Sequence, residues 1–230
     1  MFEQYTDILS KCAIFNNIAK PNINIMLDCI KPKISNFKKN EFIAMKGDNF
    51  KSIGIVIYGN VSIVKENLSG DRMLMTALSP GGIFGEMAVF SKKALLPATV
   101  EAHDNCSILF LPGDKIISPC SKTCQWHSQL ISNMLMIISD KALKLNKHIE
   151  YLNIKSIRSK ISTFLTDEYK IHKKDTFKLS LNRNELANFF NVSRPSLSRE
   201  MCSMRDEGLI DFHKSSIHII DIETLKDMSE

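Results

Sequence analysis

Between Lys122 and Leu152 the apolar positions Trp126, Leu130, Met134, Ile138, Ala142, Leu145, Ile149 and Leu152 recur every three or four residues with no turn signal among them. That spacing predicts one long amphipathic helix. Upstream the pattern changes. The runs Phe37–Met45, Ile53–Tyr58, Val61–Lys65, Met73–Leu78, Ile83–Phe84, Thr99–Ala102 and Ser107–Leu111 are short and β-rich, with Gly47-Asp48, Gly59-Asn60, Ser69-Gly70-Asp71, Pro80-Gly81-Gly82 and Pro112-Gly113-Asp114 between them as turns. Many short strands with regular turns imply a β-sandwich or roll of about 80 residues. Residues 4–30 precede it with helical spacing, through Ile8, Leu9, Ile14, Phe15, Ile23, Met26, Leu27 and Ile30. Below the long helix, Asn153–Lys160 reads as a hinge into an amphipathic helix over Ile154–Tyr169.

The stretch Asn182–Glu207 predicts two short helices and a tight turn. Asn182 and Glu185 form an Asn-x-x-Glu start signal, in which each side chain can satisfy a free amide of the first turn. Leu186, Ala187 and Phe190 supply the buried face, and Ala187 is small enough for a close crossing. Asn191 suits a sharp stop at positive φ. Ser193 can cap the second helix, with Pro195 in its first turn, where a missing N–H costs nothing. Leu197, Met201 and Met204 form its buried stripe, and Arg194, Ser198, Arg199 and Arg205 are assigned to the other side. Gly208–Phe212 and Ile217–Ile220, joined by the polar Lys214–Ser216, then read as the two strands of a wing. A helix-turn-helix with a wing places its second helix in a major groove.

Composition narrows the classes without choosing among them. At 230 residues, 44% hydrophobic and net charge +5, the chain can bury one large or two small cores and can meet a polyanion. The start MFEQYTDILSKCAIF carries no secretory pattern, and no apolar run approaches the roughly 18 residues of a membrane span. The expectation is a cytoplasmic protein without a membrane partner, its six cysteines mostly reduced. No nucleophile–base pair, P-loop or zinc-hydrolase motif stands out, so an enzyme is not expected.

The run Gly82-Ile83-Phe84-Gly85-Glu86-Met87-Ala88, followed by Leu96-Pro97-Ala98-Thr99-Val100-Glu101-Ala102, resembles the phosphate-binding cassette of a cyclic-nucleotide-binding β-roll. With the winged helix-turn-helix it is similar to the Crp/Fnr family of bacterial transcription regulators. The resemblance implies an α+β chain: an effector-sensing β-roll over 1–118, a dimerisation helix over 119–152 and a winged helix-turn-helix domain over 153–230. It implies a homodimer through Leu130, Met134, Ile138, Leu145 and Ile149, with Asn133 and Asn146 as polar positions that set register. The partners it implies are a palindromic double-stranded DNA operator and, for an activator, RNA polymerase. Arg199 stands where family members read a guanine. Arg194, Pro195, Ser196 and Ser198 share the reading end, and Arg183 and the Ser193 end of the helix are assigned to phosphates. Pro195 replaces a base-reading glutamate of several relatives, so the sequence read differs there.

The cassette departs from the cyclic-AMP readers. They carry an Arg-Ser or Arg-Thr pair about ten residues after Gly-Glu; here Gly85-Glu86 is kept, but Leu96-Pro97 fill the pair's place, and Lys92 and Lys93 lie in the turn between. Burying a phosphate without a cationic partner costs several kcal/mol, so cyclic AMP is not the expected effector and Glu86 can serve as a structural hydrogen-bonder. The pocket expected is Gly85, Glu86, Met87, Leu96, Pro97, Ala98 and Thr99 with Met73, Met75 and Met134. Those methionines suit core filling, or a haem with Met134, His127 or Met73 as axial-ligand candidates. The haem-containing, nitrosative-stress regulators of the hybrid-cluster protein within this family also lack the phosphate-binding arginine. Cys12 and Cys29, seventeen apart with no third neighbour, disfavour an iron–sulfur cluster, and Cys120-x3-Cys124-x2-His127 fits no zinc spacing well. A thiol switch, a small organic effector and a regulator that senses nothing stay open.

Overall fold

A computed structural model describes residues 2–66, 72–118 and 125–229, and all their side chains except those of 72–74 and 125. The chain forms two compact units, Met1–Asp140 and Lys141–Glu230. The fold is a β-rich first unit, a long helix and a C-terminal helix-turn-helix.

The first unit opens with single 3-10 turns at Glu3–Tyr5 and Ala13–Phe15 around α1 (Thr6–Leu9), followed by α2 (Lys20–Ile30). The helical spacing read over 4–30 is thus broken, because Asn17 turns the chain at φ 60° and Pro21 can join a helix only in its first turn. The strands are β1 (Lys33–Phe37), β2 (Phe42–Ala44), β3 (Ser52–Tyr58), β4 (Val61–Glu66), β5 (Arg72–Leu78) and β6 (Ile83–Phe84). After α3 (Glu86–Val89) come β7 (Thr99–Ala102), β8 (Cys106–Pro112) and α4 (Gly113–Ile117). They make two four-stranded sheets, ordered β1-β8-β3-β6 and β2-β7-β4-β5. The expected strand over Phe37–Met45 is two strands, since Asn40 at φ 67° turns the chain between them.

Phenyl rings fill the space between the sheets. Phe84 and Phe110 each lie about one ring from Phe50, with centroids 5.8 and 6.2 Å away, and Val56, Val61, Val100, Ala102 and Ile108 complete that core. A Cβ on Gly54 would sit 2.1 Å from the Phe84 ring, so glycine there makes the room.

The long helix α5 (Gln125–Asn153) is continuous, and the boundary between the units falls within it. Its first turns pack on the first unit's other core, where Leu130 is fully buried, Met134 is 3% exposed and Trp126 and Ile138 are partly covered. Asn133, also buried, donates through Nδ2 to the carbonyls of Ile14 and Asn16, at 2.9 and 2.8 Å. It anchors the helix to its own N-terminal segment instead of setting register with a partner. Asn146 is exposed and donates to Glu150.

In the second unit the last turns of α5 meet α6 (Ile157–His172), which Ser156 caps by accepting from the Ser159 amide at 2.8 Å. Then follow β9 (Thr176–Lys178), α7 (Arg183–Phe189), α8 (Arg194–Asp206), β10 (Ile210–His213), β11 (Ser216–Ile219) and α9 (Ile222–Asp227). The wing is a three-stranded sheet, β10-β11-β9, because β9 pairs on the far side of β11. The Lys160 ammonium is buried and donates to the carbonyls of Leu152 and Phe190, at 3.1 and 3.2 Å. It thereby satisfies the carbonyl ends of α5 and α7, where a cation is favoured. The His148 ring stacks on Phe189 at 4.2 Å, with its Nε2 2.7 Å from the Phe189 carbonyl oxygen.

Candidate nucleic-acid interface

The reading end of α8 is built by local chemistry. Asn182 Oδ1 accepts from the amides of Asn184 and Glu185, at 2.9 and 3.1 Å, and Glu185 Oε2 accepts from the Asn182 amide at 2.7 Å. That reciprocal cap fixes where α7 starts. Asn191, at φ 52°, ends the turn after it, and the Val192 amide returns to the Ala187 carbonyl at 3.0 Å. Ser193 then caps α8, its Oγ accepting from the Ser196 amide at 3.2 Å, with Pro195 in the first turn. Leu186, Ala187, Phe190, Leu197, Met201 and Met204 share one core with the wing residues Ile210, Ile217 and Ile219.

Arg199 is exposed and lies about 160° round α8 from the buried stripe. Its Nη2 comes no nearer to Ser196 Oγ than 3.5 Å, which leaves the fork available. Arg194 and Pro195 are exposed beside the helix start, and Ser196 and Ser198 are half-buried. Arg183 is half-buried with its guanidinium 4.7 Å over the Phe212 ring, and burial holds its pKa below the usual arginine value. Arg205 covers the same ring at 5.3 Å and pairs with Asp206. It is exposed, as expected from sequence, while also covering the wing residue Phe212.

In the first unit the cassette is recognisable. Gly85 is left-handed at φ 84°, and a Cβ on it would meet the Phe50 ring at 2.3 Å. Glu86 is buried at the start of α3. Leu96 is 4% exposed and packs with Ala44 and Ala88, against Phe50. Leu96, where the sequence resemblance places the phosphate-binding pair, is therefore surrounded by carbon, and Lys92 and Lys93 are exposed. Ala98 is buried, Thr99 half-buried and Pro97 exposed. Met75 and Met87 are each more than half exposed, so they do not face the cassette interior as expected. A shallow depression of about 260 Å³ is lined by Phe42, Met45, Val64, Glu66 and Thr99. Among the described side chains, Thr99 is the expected effector residue on its wall.

The haem-ligand candidates are not gathered on that wall. Met134 is enclosed in the first unit's core, and the half-buried His127 has Nε2 2.8 Å from the Lys115 carbonyl oxygen and a buried Nδ1 with no hydrogen-bond partner among the described residues. The side chain of Met73 lies outside the described ones, as do Cys120 and Cys124. Burial pushes the Cys12 thiol up to about 11 and also raises Cys106, which removes both from reactive-thiolate chemistry near neutrality. Among the described residues no cluster of His, Cys, Asp and Glu could hold a metal ion, and no helix is long and apolar enough to cross a membrane.

The dimerisation set needs correction. Leu130 and Met134 are buried within their own unit, and Ile138 is partly covered by it. Leu145 and Ile149 are exposed, at 61% and 47%, together with Leu135 at 62% and Leu152 at 39%. The reason is periodicity. Each step of four residues overshoots a full turn by about 40°, so the four such steps from Trp126 to Ala142 wind about 160° round the helix. The spacing that keeps one face is alternating three and four: Ser128, Ile131, Leu135, Ile138, Ala142, Leu145, Ile149 and Leu152.

Two stretches of the chain match described families: residues 34–122 the cyclic nucleotide-binding domain, and residues 159–228 the Crp-like helix-turn-helix domain. The transcriptional activator protein Anr of Pseudomonas protegens is 24% identical over 85% of this chain and 80% of its own length. The cAMP-activated global transcriptional regulator CRP of Pasteurella multocida is 21% identical over 74% and 82%. Among solved structures, CooA from Carboxydothermus hydrogenoformans covers 90% of each chain at a TM-score of 0.62 and 16% identity. The catabolite activator protein of Thermus thermophilus covers 94% of this chain and 98% of its own, at 0.55 and 17%.

Proposed function

We infer, from a chain that is a transcription regulator of the Crp/Fnr type with a cyclic nucleotide-binding domain and a Crp-like helix-turn-helix, that it acts as a homodimer on an inverted-repeat operator under an effector other than cyclic AMP. One observation carries the DNA reading: a capped helix, α8, holds an exposed arginine opposite its buried stripe and beside an amide end suited to phosphate. The exposed apolar line on α5 supports the dimer, since Leu135, Leu145, Ile149 and Leu152 stand open in a single chain. Two copies of one helix read two halves of a symmetric site. Selection of duplexes from a random pool by the full-length protein should therefore enrich an inverted repeat with half-sites about one DNA turn apart. Enrichment of an asymmetric site, or of none, rejects the reading.

The nature of the effector follows from Leu96. A cyclic phosphate set against Leu96, Ala44 and Ala88 would lose its water and gain no cation, a cost of several kcal/mol. Cyclic AMP at micromolar concentration should give no saturable heat in calorimetry and should leave the DNA affinity unchanged. Micromolar binding would return the cassette to its nucleotide role.

A further inference from the structure

We propose that Arg158 is a positioning residue for DNA reading: from α6 it grips one ridge of α8, fixes the roll of that helix about its axis, and so sets the register of Arg199 against the bases. This rests on α8 being the reading helix.

The grip is multiple and directional. Arg158 Nε donates to Glu200 Oε1 at 2.6 Å, and Nη1 and Nη2 donate to the two Glu207 oxygens at 2.7 and 2.6 Å. Nη2 also reaches Ser203 Oγ at 3.3 Å, and that hydroxyl donates to Glu207 Oε1 at 2.8 Å. Glu200, Ser203 and Glu207 are three and four residues apart, so they form a single ridge running from the middle of α8 to its C-cap. Arg158 itself is the second residue of α6, two residues after the Ser156 cap. A planar fork held by a bidentate carboxylate fixes direction as well as distance.

Stability alone does not explain so many contacts. The partners are between 27% and 41% exposed, and ion pairs of that exposure contribute little. Orientation is the scarcer quantity here. Two of the three residues in the buried stripe of α8, Met201 and Met204, are methionines, whose flexible side chains accept small rotations without losing contact. At roughly 6 Å from a helix axis a roll of about 15° moves an atom by about 1.6 Å. Reading groups work only within about 0.5 Å and 10–20° of their proper pose. Arg199 is next in sequence to Glu200, so whatever holds Glu200 holds the Cα from which the Arg199 fork extends.

The test uses the full-length protein, a duplex selected by the wild type and a scrambled duplex, at one salt concentration, with thermal unfolding followed in parallel. Arg158→Lys keeps the charge and loses the fork. It should lower the selected-to-scrambled affinity ratio about tenfold while scrambled-duplex affinity stays within about twofold. Glu207→Ala removes the bidentate partner from an exposed position without burying anything, and should lower the ratio in the same direction should Arg158→Lys fail to fold. An unchanged ratio, with or without a lower unfolding temperature, makes Arg158 merely structural and overturns the proposal; so does an equal loss on both duplexes. Arg199→Ala, run alongside, separates the two levels. If it lowers the ratio while Arg158→Lys does not, the positioning role alone falls; if neither lowers it, α8 is not the reading helix.

Discussion

Leu145→Glu should convert the protein from a dimer to a monomer at micromolar concentration in sedimentation, and with the same step abolish tight binding to the full inverted repeat. Leu145 is 61% exposed in the single chain, so the glutamate meets water there and should cost the isolated fold no more than about 0.5 kcal/mol. In a symmetric pair of α5 helices it meets its counterpart's apolar line instead. Losing two buried leucines removes roughly 3–6 kcal/mol of association free energy, a weakening of about 10²- to 10⁴-fold, before the cost of setting two carboxylates in an apolar seam. Ile138 is a poorer probe, because it packs against the core of its own unit and its replacement would confound folding with assembly. A Leu145→Glu protein that still sediments as a dimer would move the interface off α5.

What could be read from sequence divides along the range of the interactions. The helix-turn-helix was legible to the residue because its determinants are local: the Asn182–Glu185 cap, the left-handed Asn191, the Ser193 cap and Pro195 act within a few residues of themselves. The cassette was legible for the same reason, as a short motif whose Gly85 needs a positive φ. The long helix was legible as a helix but not in its facing. Apolar spacing tells that a side chain seeks cover; whether Leu130 and Met134 find it in their own unit depends on a core gathered from segments as distant in sequence as Phe2 and as near as Ile116. Asn133 illustrates the limit, since its partners are the carbonyls of Ile14 and Asn16. The strands β1 and β9 escaped notice because half-exposed or very short strands, Lys33–Phe37 and Thr176–Lys178, take their identity from the neighbour they pair with. Arg158 lies in the stretch read as a hinge, and its role needs Glu200 and Glu207, more than forty residues on.

Arg199→Ala should reduce affinity for the selected inverted repeat by about 1–3 kcal/mol per half-site and relax its preference at one base pair in each half, leaving scrambled duplex bound almost as before. The arginine is exposed, lies opposite the Leu197–Met201–Met204 stripe, and among the described residues has a long contact to Ser196 Oγ at 3.5 Å. Its fork is therefore not committed within the protein and can pair with the two acceptors that a guanine presents in the major groove. Arg183 predicts the opposite behaviour. Its guanidinium lies over Phe212 at 4.7 Å and is half-buried, an anchored charge suited to a phosphate. Arg183→Ala should weaken binding to selected and scrambled duplexes alike and lower the slope of affinity against salt by about two ions, one from each protomer. Measured across a salt series on both duplexes, the two variants should separate cleanly, one in ratio and the other in slope. If Arg199→Ala lowers both affinities equally and leaves base preference intact, Arg199 is a backbone contact, and the base reader must be sought among Arg194, Ser196 and Ser198 at the same end of α8.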